Sequence, residues 1–501
     1  MPGSIFIRTV NAEAVDFGDI PVMDFPDFRE AILEEIRAGA RISAMPGFPE
    51  EGGDIRMIAV LSQPVSGEIL IGACHINGAW PSMTPACHAL HWFEREVAEI
   101  HNVTPHGHPW LKPIRFQPPH DIASKEYSVQ EGTTRFFGLD GEESHEVAVG
   151  PVHAGIIEPG HFRFLCHGET VYHLEISLGY QHRGIERTMK GGPGIRSMHY
   201  METLAGDTTI GHGTAYCMAI EALSAISVPP RSLAIRAVAA ELERIANHVG
   251  DLGALAGDVG FLPTMSYCGR IRGDVLNMTA LICGNRFGRG LVRPSGTAFD
   301  LDKKMIDELM LRLKSTEKDI TSAVELMFDT PSVLSRFEGT GALSAETARE
   351  TGLVGVAARA TGLNCDVRNE FPYGMYCFSQ LHTCTWNTGD CFARAYVRWL
   401  EIRSSIEFIR TQLLNMPDGP VSCKTVPISK EKITVSLVEG WRGEICHVAL
   451  TDKEGRFAFY KVVDPSFHNW FGLALALKNQ QISDFPLCNK SFNLSYCGHD
   501  L

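Results

Sequence analysis

The sequence lacks several features that would assign it to a simple class of protein. None of its 14 cysteines forms a CxxC pair, so we do not expect this chain alone to hold an iron–sulfur cluster or a structural zinc ion. No apolar run approaches the roughly 18 residues of a membrane-spanning helix, so no direct membrane span is expected. The N-terminus lacks the charged and then apolar arrangement of a secretory signal, which predicts reduced cysteines and a cytosolic protein.

Positive charge is also scarce. The chain has 45 Lys and Arg residues against 59 Asp and Glu residues, a net charge of −14, which argues against a nucleic-acid-binding protein. A content of 44% apolar and 21% charged residues is typical of a globular protein. Its 501 residues exceed one ordinary hydrophobic core, so we expect two or three domains.

The character of the sequence changes along the chain. Residues 1–120 are predicted to form a small α/β module, with strands at residues 54–61 and 68–71 bounded by Gly, Pro and Ser. Residues 121–149 lack a long apolar period and are predicted to be a linker. From Gly150, apolar and polar positions alternate around turn glycines, which predicts strands or hairpins.

Long helices are predicted in the second half. Apolar residues recur at spacings of three and four in three segments, which begin at Pro230, Asp300 and Gly389. Three stripes of this length indicate a central bundle. The fold class is therefore predicted to be α+β, with a small N-terminal α/β module ahead of a domain that has a central long-helix bundle and peripheral β hairpins.

Residues 179–216 carry many ionisable side chains among glycines and apolar residues. Because charges leave water only when they are paired, this density predicts a buried polar site. Its members are Arg183, Glu186, Arg187, His199, Tyr200, Glu202, Asp207 and His212.

Several motifs carry a resemblance to a known family. The RGxE box at residues 183–186 and the HxTAY box at residues 212–216 resemble the large subunit of group 4 nickel–iron hydrogenases, and equally the 49 kDa subunit of respiratory complex I. Further similar segments are GPVH at residues 150–153, RATGLNCDVR at residues 359–368, EGWRGE at residues 439–444 and DPSF at residues 464–467.

The front of the chain resembles a second subunit. ERE at residues 94–96 and GHPWLKPI at residues 107–114 are similar to the end of the 30 kDa subunit of complex I, which group 4 hydrogenases carry ahead of the large subunit. The resemblance implies a docking module over residues 1–120, a linker over 121–149 and a large-subunit-like domain over 150–501.

The resemblance also implies where metal ligands would lie. A nickel–iron centre needs four thiolates, and the matching front positions are Ala205 and Thr208. The matching C-terminal positions are Ser495 and Gly498, with Cys497 as a remnant thiol if the alignment shifts by one residue. A nickel–iron centre is therefore not expected.

The resemblance also implies roles for other residues. Tyr200 matches the tyrosine that binds the quinone in complex I, where a phenol donates a hydrogen bond and then a proton. The quinone-binding histidine of the first hairpin is not matched, because Glu158 stands there as in the hydrogenases. In those enzymes the matching glutamate helps to hold magnesium with a C-terminal histidine, here His499.

Arg183 and Glu186 match a family arginine near the partner's iron–sulfur cluster and a glutamate on a proton route. The alternative for these two residues is a buried ion pair that holds two segments together. For Asp207 and His212, proton transfer and a purely structural role in the site wall both remain open.

The sequence thus predicts an oxidoreductase subunit of the NADH:quinone oxidoreductase or hydrogenase type, active only within a multisubunit complex. A small partner subunit would carry the iron–sulfur cluster, membrane subunits would translocate ions, and a quinone or another acceptor would be reduced in the vacated site. We expect the chain at the cytoplasmic side of the membrane, as a peripheral protein. The alternatives are a non-catalytic scaffold subunit of the same complex and a hydrogenase with degenerate ligands.

Overall fold

The first unit is built on a six-stranded sheet. In the computed structural model, which describes residues 5–50, 53–119, 134–139, 141, 143–153 and 157–501, the strands Ile55–Gln63 and Glu68–Ile76 form an antiparallel pair at its centre. The helix Phe25–Arg37 covers the sheet and buries Phe28 and Ile32, so both central strands are buried almost throughout. The outer strands are Ile7–Thr9, Val22–Met23, Arg41–Ala44 and Gly47–Pro49.

The ERE motif lies on the helix His91–His101 and has a structural role. The Glu94 carboxylate, fully buried, accepts hydrogen bonds from the Trp80 indole at 2.9 Å and from the Ser82 and Thr84 hydroxyls at 2.6 Å. These donors satisfy a charge that burial would otherwise make costly. The motif therefore fixes the helix against the short parallel pair Ala79–Pro81 and Thr104–His106.

A second sheet joins the two ends of the chain. Its antiparallel strands Lys432–Gly440, Gly443–Thr451 and Phe457–Val463 come from the C-terminal part of the chain. The N-terminal strand Ala14–Asp16 pairs with the first of them, with Asp16 opposite Lys432. Residues 14–16 therefore contribute backbone hydrogen bonds to a sheet of the predicted large-subunit-like domain.

Four long helices form the centre of that domain. Pro230–Asp258 packs against Leu262–Cys283 and Cys391–Leu414, and Lys303–Phe328 packs against the same two helices. The three predicted helices are confirmed, and Asp302 and Asp390 cap two of them. The helix Leu262–Cys283 was missed, because Gly269 and Gly273 reduce its helix propensity although its buried positions keep the helical spacing.

The predicted hairpins after Gly150 are confirmed by the strands His161–His167 and Thr170–Ser177. A third strand, Ser144–Val149, pairs with the first of these within the segment predicted as a linker. Residues 120–133, the front of that segment, lie outside the described residues. The domain division at residue 150 remains a prediction.

The shorter elements connect these layers. The described helices include none that is both long and apolar enough to cross a membrane. The remaining α-helices of the described ranges are Ile185–Met189, Ser197–Met201, Thr209–Leu223, Pro331–Phe337, Ala345–Glu350, Gly355–Arg359, Val367–Glu370, Pro465–Ala476, Phe485–Phe492 and Tyr496–His499, and the strands Val292–Arg293 and Gly296–Thr297 form a small pair.

Candidate functional site

The loop of residues 205–208 and the C-terminal turn of residues 495–498, together called the cradle below, are linked by one arginine. The Arg442 Nη1 and Nη2 atoms lie 2.6 and 2.8 Å from the two carboxylate oxygens of Asp207. The Arg442 Nε donates to the Asn493 carbonyl at 2.5 Å. A single guanidinium therefore ties the front loop to the segment that enters the C-terminal turn.

The Asp207 loop is held by its main chain as well. The Trp441 indole and the Asn247 amide donate to the Asp207 carbonyl at 3.1 and 2.9 Å. Burial opposes ionisation of Asp207, but the charge and hydrogen bonds of Arg442 lower the pKa of this carboxyl below its usual value. The Arg442 guanidinium also stacks on the Trp441 ring at 3.9 Å, so its orientation is fixed.

The donor atoms of the cradle do not fit a centre held by thiolates. Ala205 has no donor atom, and the Thr208 hydroxyl donates to Asp207 at 3.2 Å. The Ser495 hydroxyl accepts the Gly498 N–H at 2.9 Å and lies 3.3 Å from the Cys497 sulfur, the one thiol of the cradle. In the ranges that the structure describes, no group of three or more His, Cys, Asp or Glu side chains is placed to hold a metal ion.

Asp464 occupies the space beside Gly498. A Cβ atom at position 498 would lie 2.7 Å from the Asp464 Cγ and within 2.9 Å of both carboxylate oxygens. The carboxylate is held there by His212 and by the Ser466 N–H, which it accepts at 2.8 Å. A cysteine at position 498 therefore has no room for its side chain in this arrangement.

His212 belongs to a buried row of four polar side chains. Its Nε2 lies 3.0 Å from the Asp464 Oδ2, and its Nδ1 lies 3.1 Å from the His447 Nε2. The His447 Nδ1 lies 2.8 Å from the Tyr460 hydroxyl. None of the four is more than 1% exposed. Of this row, which we call the histidine row, only His212 was predicted from the sequence, because the other members lie more than 230 residues further along the chain.

Burial sets the protonation of this row. Burial, with the neighbouring His212, lowers the pKa of His447 well below its usual range, so this imidazole is neutral. Burial raises the pKa of Tyr460, so the phenol keeps its proton. Burial opposes ionisation of Asp464, but the hydrogen bond from His212 lowers the pKa of this carboxyl.

Arg183 and Glu186 do not form the ion pair that was one alternative for them. Arg183 is exposed and its guanidinium donates to the Thr203 and Leu204 carbonyls at 2.8 and 2.9 Å, directly ahead of the cradle loop. Gly184, at a φ of +63°, turns the chain between the two residues, so that Glu186 faces away on the next helix. The structure does not contain the buried Arg–Glu pair that was one alternative, and the roles of Arg183 near a partner's cluster and of Glu186 on a proton route remain predictions.

Glu186 belongs to a different charge network, which links the two halves of the chain. Its carboxylate accepts the Lys461 ammonium and the Val462 N–H, each at 2.9 Å. Lys461 also binds Glu96 of the first unit at 2.6 Å, and Arg115 pairs with the same carboxylate. Burial opposes ionisation of Glu96, but these two cations lower its pKa to about 2.

A cavity of about 560 Å³ opens beside this network. Its wall includes Glu96, Glu186 and Lys461, and the neighbouring Tyr460 also lines it. The rest of the wall consists of apolar residues of both halves, among them Phe48 and residues 457–459, and of further charged residues such as Arg187, Lys190, Asp452 and Arg456. The cavity therefore lies at the junction of the first unit and the C-terminal sheet.

Tyr200 lies on the helix Ser197–Met201 and is half-buried. Its phenolic hydroxyl forms no hydrogen bond with the described residues, and nothing in the structure brings it into contact with the histidine row. Glu158 accepts the Tyr496 N–H at 3.3 Å, whereas the His499 ring contacts Trp92 and its Nδ1 lies 2.9 Å from Asp500. A magnesium site at Glu158 and His499 remains a prediction.

The RATGLNCDVR box supplies two buried arginines, each paired with two carboxylates. Arg359 binds Glu401 and Glu439, each at 2.7 Å. Arg368 binds Asp366 at 2.6 Å and a further buried glutamate of the helix Pro230–Asp258. Neither guanidinium is available to a phosphate, and the box instead ties the bundle to the C-terminal sheet.

The chain is also similar to known proteins along most of its length. Residues 258–437 match the family described as respiratory-chain NADH dehydrogenase, 49 Kd subunit, and residues 42–130 match the corresponding 30 Kd subunit. The chain is 32% identical to the carbon monoxide-induced hydrogenase of Rhodospirillum rubrum, over 70% of this chain and 97% of that protein. It is 27% identical to formate hydrogenlyase subunit 5 of Escherichia coli (strain K12), over 83% of this chain and 76% of that protein. The NADH-quinone oxidoreductase subunit 4 of Thermus thermophilus is 29% identical over 67% of this chain and 89% of that protein.

Proposed function

Because the chain belongs to the family of group 4 hydrogenase large subunits and complex I 49 kDa-type subunits, we propose that it is the electron-transfer subunit of a membrane-associated complex and works without a nickel–iron centre. In this proposal an iron–sulfur cluster of a small partner subunit supplies electrons. A quinone or another acceptor is reduced at the cradle, on the cytoplasmic side of the membrane. Membrane subunits of the complex use the redox step to move ions.

The main support for this proposal is the position of Arg183. Its guanidinium is exposed, yet two carbonyls of the segment that leads into the cradle hold it in place. A fixed surface cation stabilises the reduced, more negative state of a cluster in a docked partner, because opposite charges attract most strongly where a docked surface excludes water. The cradle begins at the next residue after Leu204, so an acceptor bound there lies close to the same partner.

The contents of the cradle support a metal-free reaction. Asp464 fills the space next to Gly498, and Arg442 neutralises Asp207 instead of leaving its charge to a metal ion. Tyr200 has a hydroxyl with no partner among the described residues, so it is free to donate to the carbonyl of an acceptor. A phenol in that position supplies the proton that follows each reduction.

The experiment compares Tyr200→Phe with the wild type in the purified complex. The reduced complex is mixed with a short-chain quinone and the rate of quinone reduction is measured. Loss of a general acid predicts a rate about 100-fold lower, with assembly unchanged. Tyr172→Phe is the control, because Tyr172 is exposed on the outer hairpin and stacks on His167. Equal rates for all three proteins would remove Tyr200 from the reaction.

A scaffold role is the second candidate, and the close contact between Asp464 and Gly498 favours it, because filled space leaves less room for an acceptor. A scaffold predicts a wild-type complex that assembles but reduces no quinone. Metal analysis of the same sample tests the third alternative, because a hydrogenase with degenerate ligands should contain stoichiometric nickel.

A further inference from the structure

The hydrogens of the histidine row can be assigned so that all its hydrogen bonds run in one direction. With an ionised Asp464 as acceptor, His212 donates from Nε2 to the carboxylate, and in the tautomer that carries no hydrogen on Nδ1 it accepts there. His447 then donates from Nε2 to His212 and accepts at Nδ1, so Tyr460 donates its hydroxyl hydrogen. Every hydrogen bond in the row therefore points toward Asp464.

We propose that Tyr460, His447, His212 and Asp464 form a proton relay that leads from the cavity beside Lys461 to the cradle. The proposal rests on the proposed function in one respect, namely that a reaction in the cradle consumes protons. The two ends of the row support it. Tyr460 lines the cavity, and the Asp464 carboxylate touches the C-terminal turn at Gly498.

One proton moves along the relay in three coupled transfers. The Tyr460 O–H bond breaks as a bond to the His447 Nδ1 forms, and the His447 Nε2–H bond breaks as a bond to the His212 Nδ1 forms. The His212 Nε2–H bond then breaks as the Asp464 Oδ2 takes the proton. A hydronium ion in the cavity gives a proton to the Tyr460 oxygen as the Tyr460 O–H bond breaks, and it becomes water, so the phenol stays protonated and the net result is one proton delivered to Asp464.

A structural role alone does not explain the length of the row. Asp464 caps the helix Pro465–Ala476 through the Ser466 N–H, and this cap needs none of the other three side chains. Burying two imidazoles and a phenol in series is costly unless each is satisfied, and here each satisfies the next. Between Tyr460 and Asp464 the row is closed to bulk water, so no solvent path competes with transfer along it.

The test uses the purified complex and measures quinone reduction in H₂O and D₂O. Tyr460→Phe removes the first donor, and Asp464→Asn keeps a hydrogen-bond acceptor of the same size that cannot take up the proton. Each variant is expected to lower the rate about 10-fold or more and to change the solvent isotope effect. Tyr216→Phe is the matched control, because Tyr216 is also buried and its ring lies 6.2 Å from the Tyr460 ring, outside the row.

Rates and isotope effects of both relay variants equal to those of Tyr216→Phe would overturn the relay. A wild-type complex that reduces no quinone would instead contradict the proposed function. The relay is then tested by infrared difference spectra taken as the partner's cluster is reduced with dithionite. Imidazole and phenol bands that shift in the wild type and disappear in Tyr460→Phe support the relay, and spectra without these bands in the wild type overturn it.

Discussion

Arg442 and Asp207, separated by 235 positions in the sequence, form a two-point ion pair with distances of 2.6 and 2.8 Å. Such parallel hydrogen bonds fix both charge and orientation. Their position matters because Arg442 also holds the Asn493 carbonyl. The pair therefore connects the front loop with the segment that leads into the C-terminal turn.

Asp207→Asn is expected to destabilise the chain, because it leaves the buried Arg442 cation without its carboxylate. The free energy of unfolding should fall by about 3 kcal/mol, measured by chemical denaturation at pH 7. Glu30→Gln is the control, since it removes an ion pair with Arg37 whose side chains are 52% and 64% exposed, and it should cost less than about 1 kcal/mol. A loss of similar size in both variants would contradict the proposed role of the pair.

The contribution of Asp207 to the free energy of unfolding should decrease in acid. Arg442 lowers the pKa of Asp207 against the effect of burial, so the unfolded state takes up this proton at a higher pH than the folded state. The contribution of Asp207 to the free energy of unfolding is fully present above pH 3.8, the ordinary pKa of an aspartate. It is lost as the pH falls through the lower pKa of Asp207 in the folded state. The difference between wild type and Asp207→Asn should therefore shrink below about pH 4.

Because Gly498 packs closely against Asp464, we expect a substitution at one position to reduce the cost of a substitution at the other. Gly498→Ala places a methyl group 2.7 Å from the Asp464 Cγ, and overpacking of this kind costs about 1–3 kcal/mol. Asp464→Ser removes the clash, so the double variant should lose less than the sum of the two single variants. Thermal unfolding of the four proteins measures this coupling. Strict additivity would show that Asp464 does not fill the space beside position 498.

The fold was more predictable than the site, for a physical reason. Helix stripes and hairpin alternation are local, and the helix Pro230–Asp258 presents its apolar positions at regular spacing whatever lies around it. Charge partners are not local. Glu186 pairs with Lys461, which lies 275 positions away, and no feature of either segment indicates the other. A pair of Arg183 and Glu186 was one of two alternatives that the sequence left open, and the left-handed conformation of Gly184 separates the two residues.

Buried His468 predicts a specific loss of stability in acid. Burial lowers the pKa of His468 to about 4, whereas the unfolded chain takes up this proton near the ordinary value of 6.5. Between these values the unfolded state binds more protons, so the free energy of unfolding falls as the pH falls. His468→Gln should reduce this slope by up to about 1.4 kcal/mol per pH unit. His199→Gln, at a side chain that is 67% exposed, is the control for replacing a histidine outside the core.

Gly355 lies under the turn that carries Arg442 and should not tolerate a side chain. It has a φ of +62°, and a Cβ there would lie 1.9 Å from the Arg442 carbonyl oxygen. Gly39 is the control position that shows the backbone strain without a clash. Its φ is +96°, but a Cβ there would have no atom within 4 Å. Gly39→Ala should cost about 1–2 kcal/mol, the strain of a left-handed backbone alone.

Gly355→Ala should cost about 4 kcal/mol or more, because the clash displaces the Arg442 backbone and with it the ion pair to Asp207. The measurement is chemical denaturation of both alanine variants. It is repeated in an Asp207→Asn background, where the Gly355→Ala effect should be smaller because the ion pair is already lost, while the Gly39→Ala effect should be unchanged. Equal losses for the two glycines would mean that the turn moves away freely, and that the cradle does not depend on the position of Arg442.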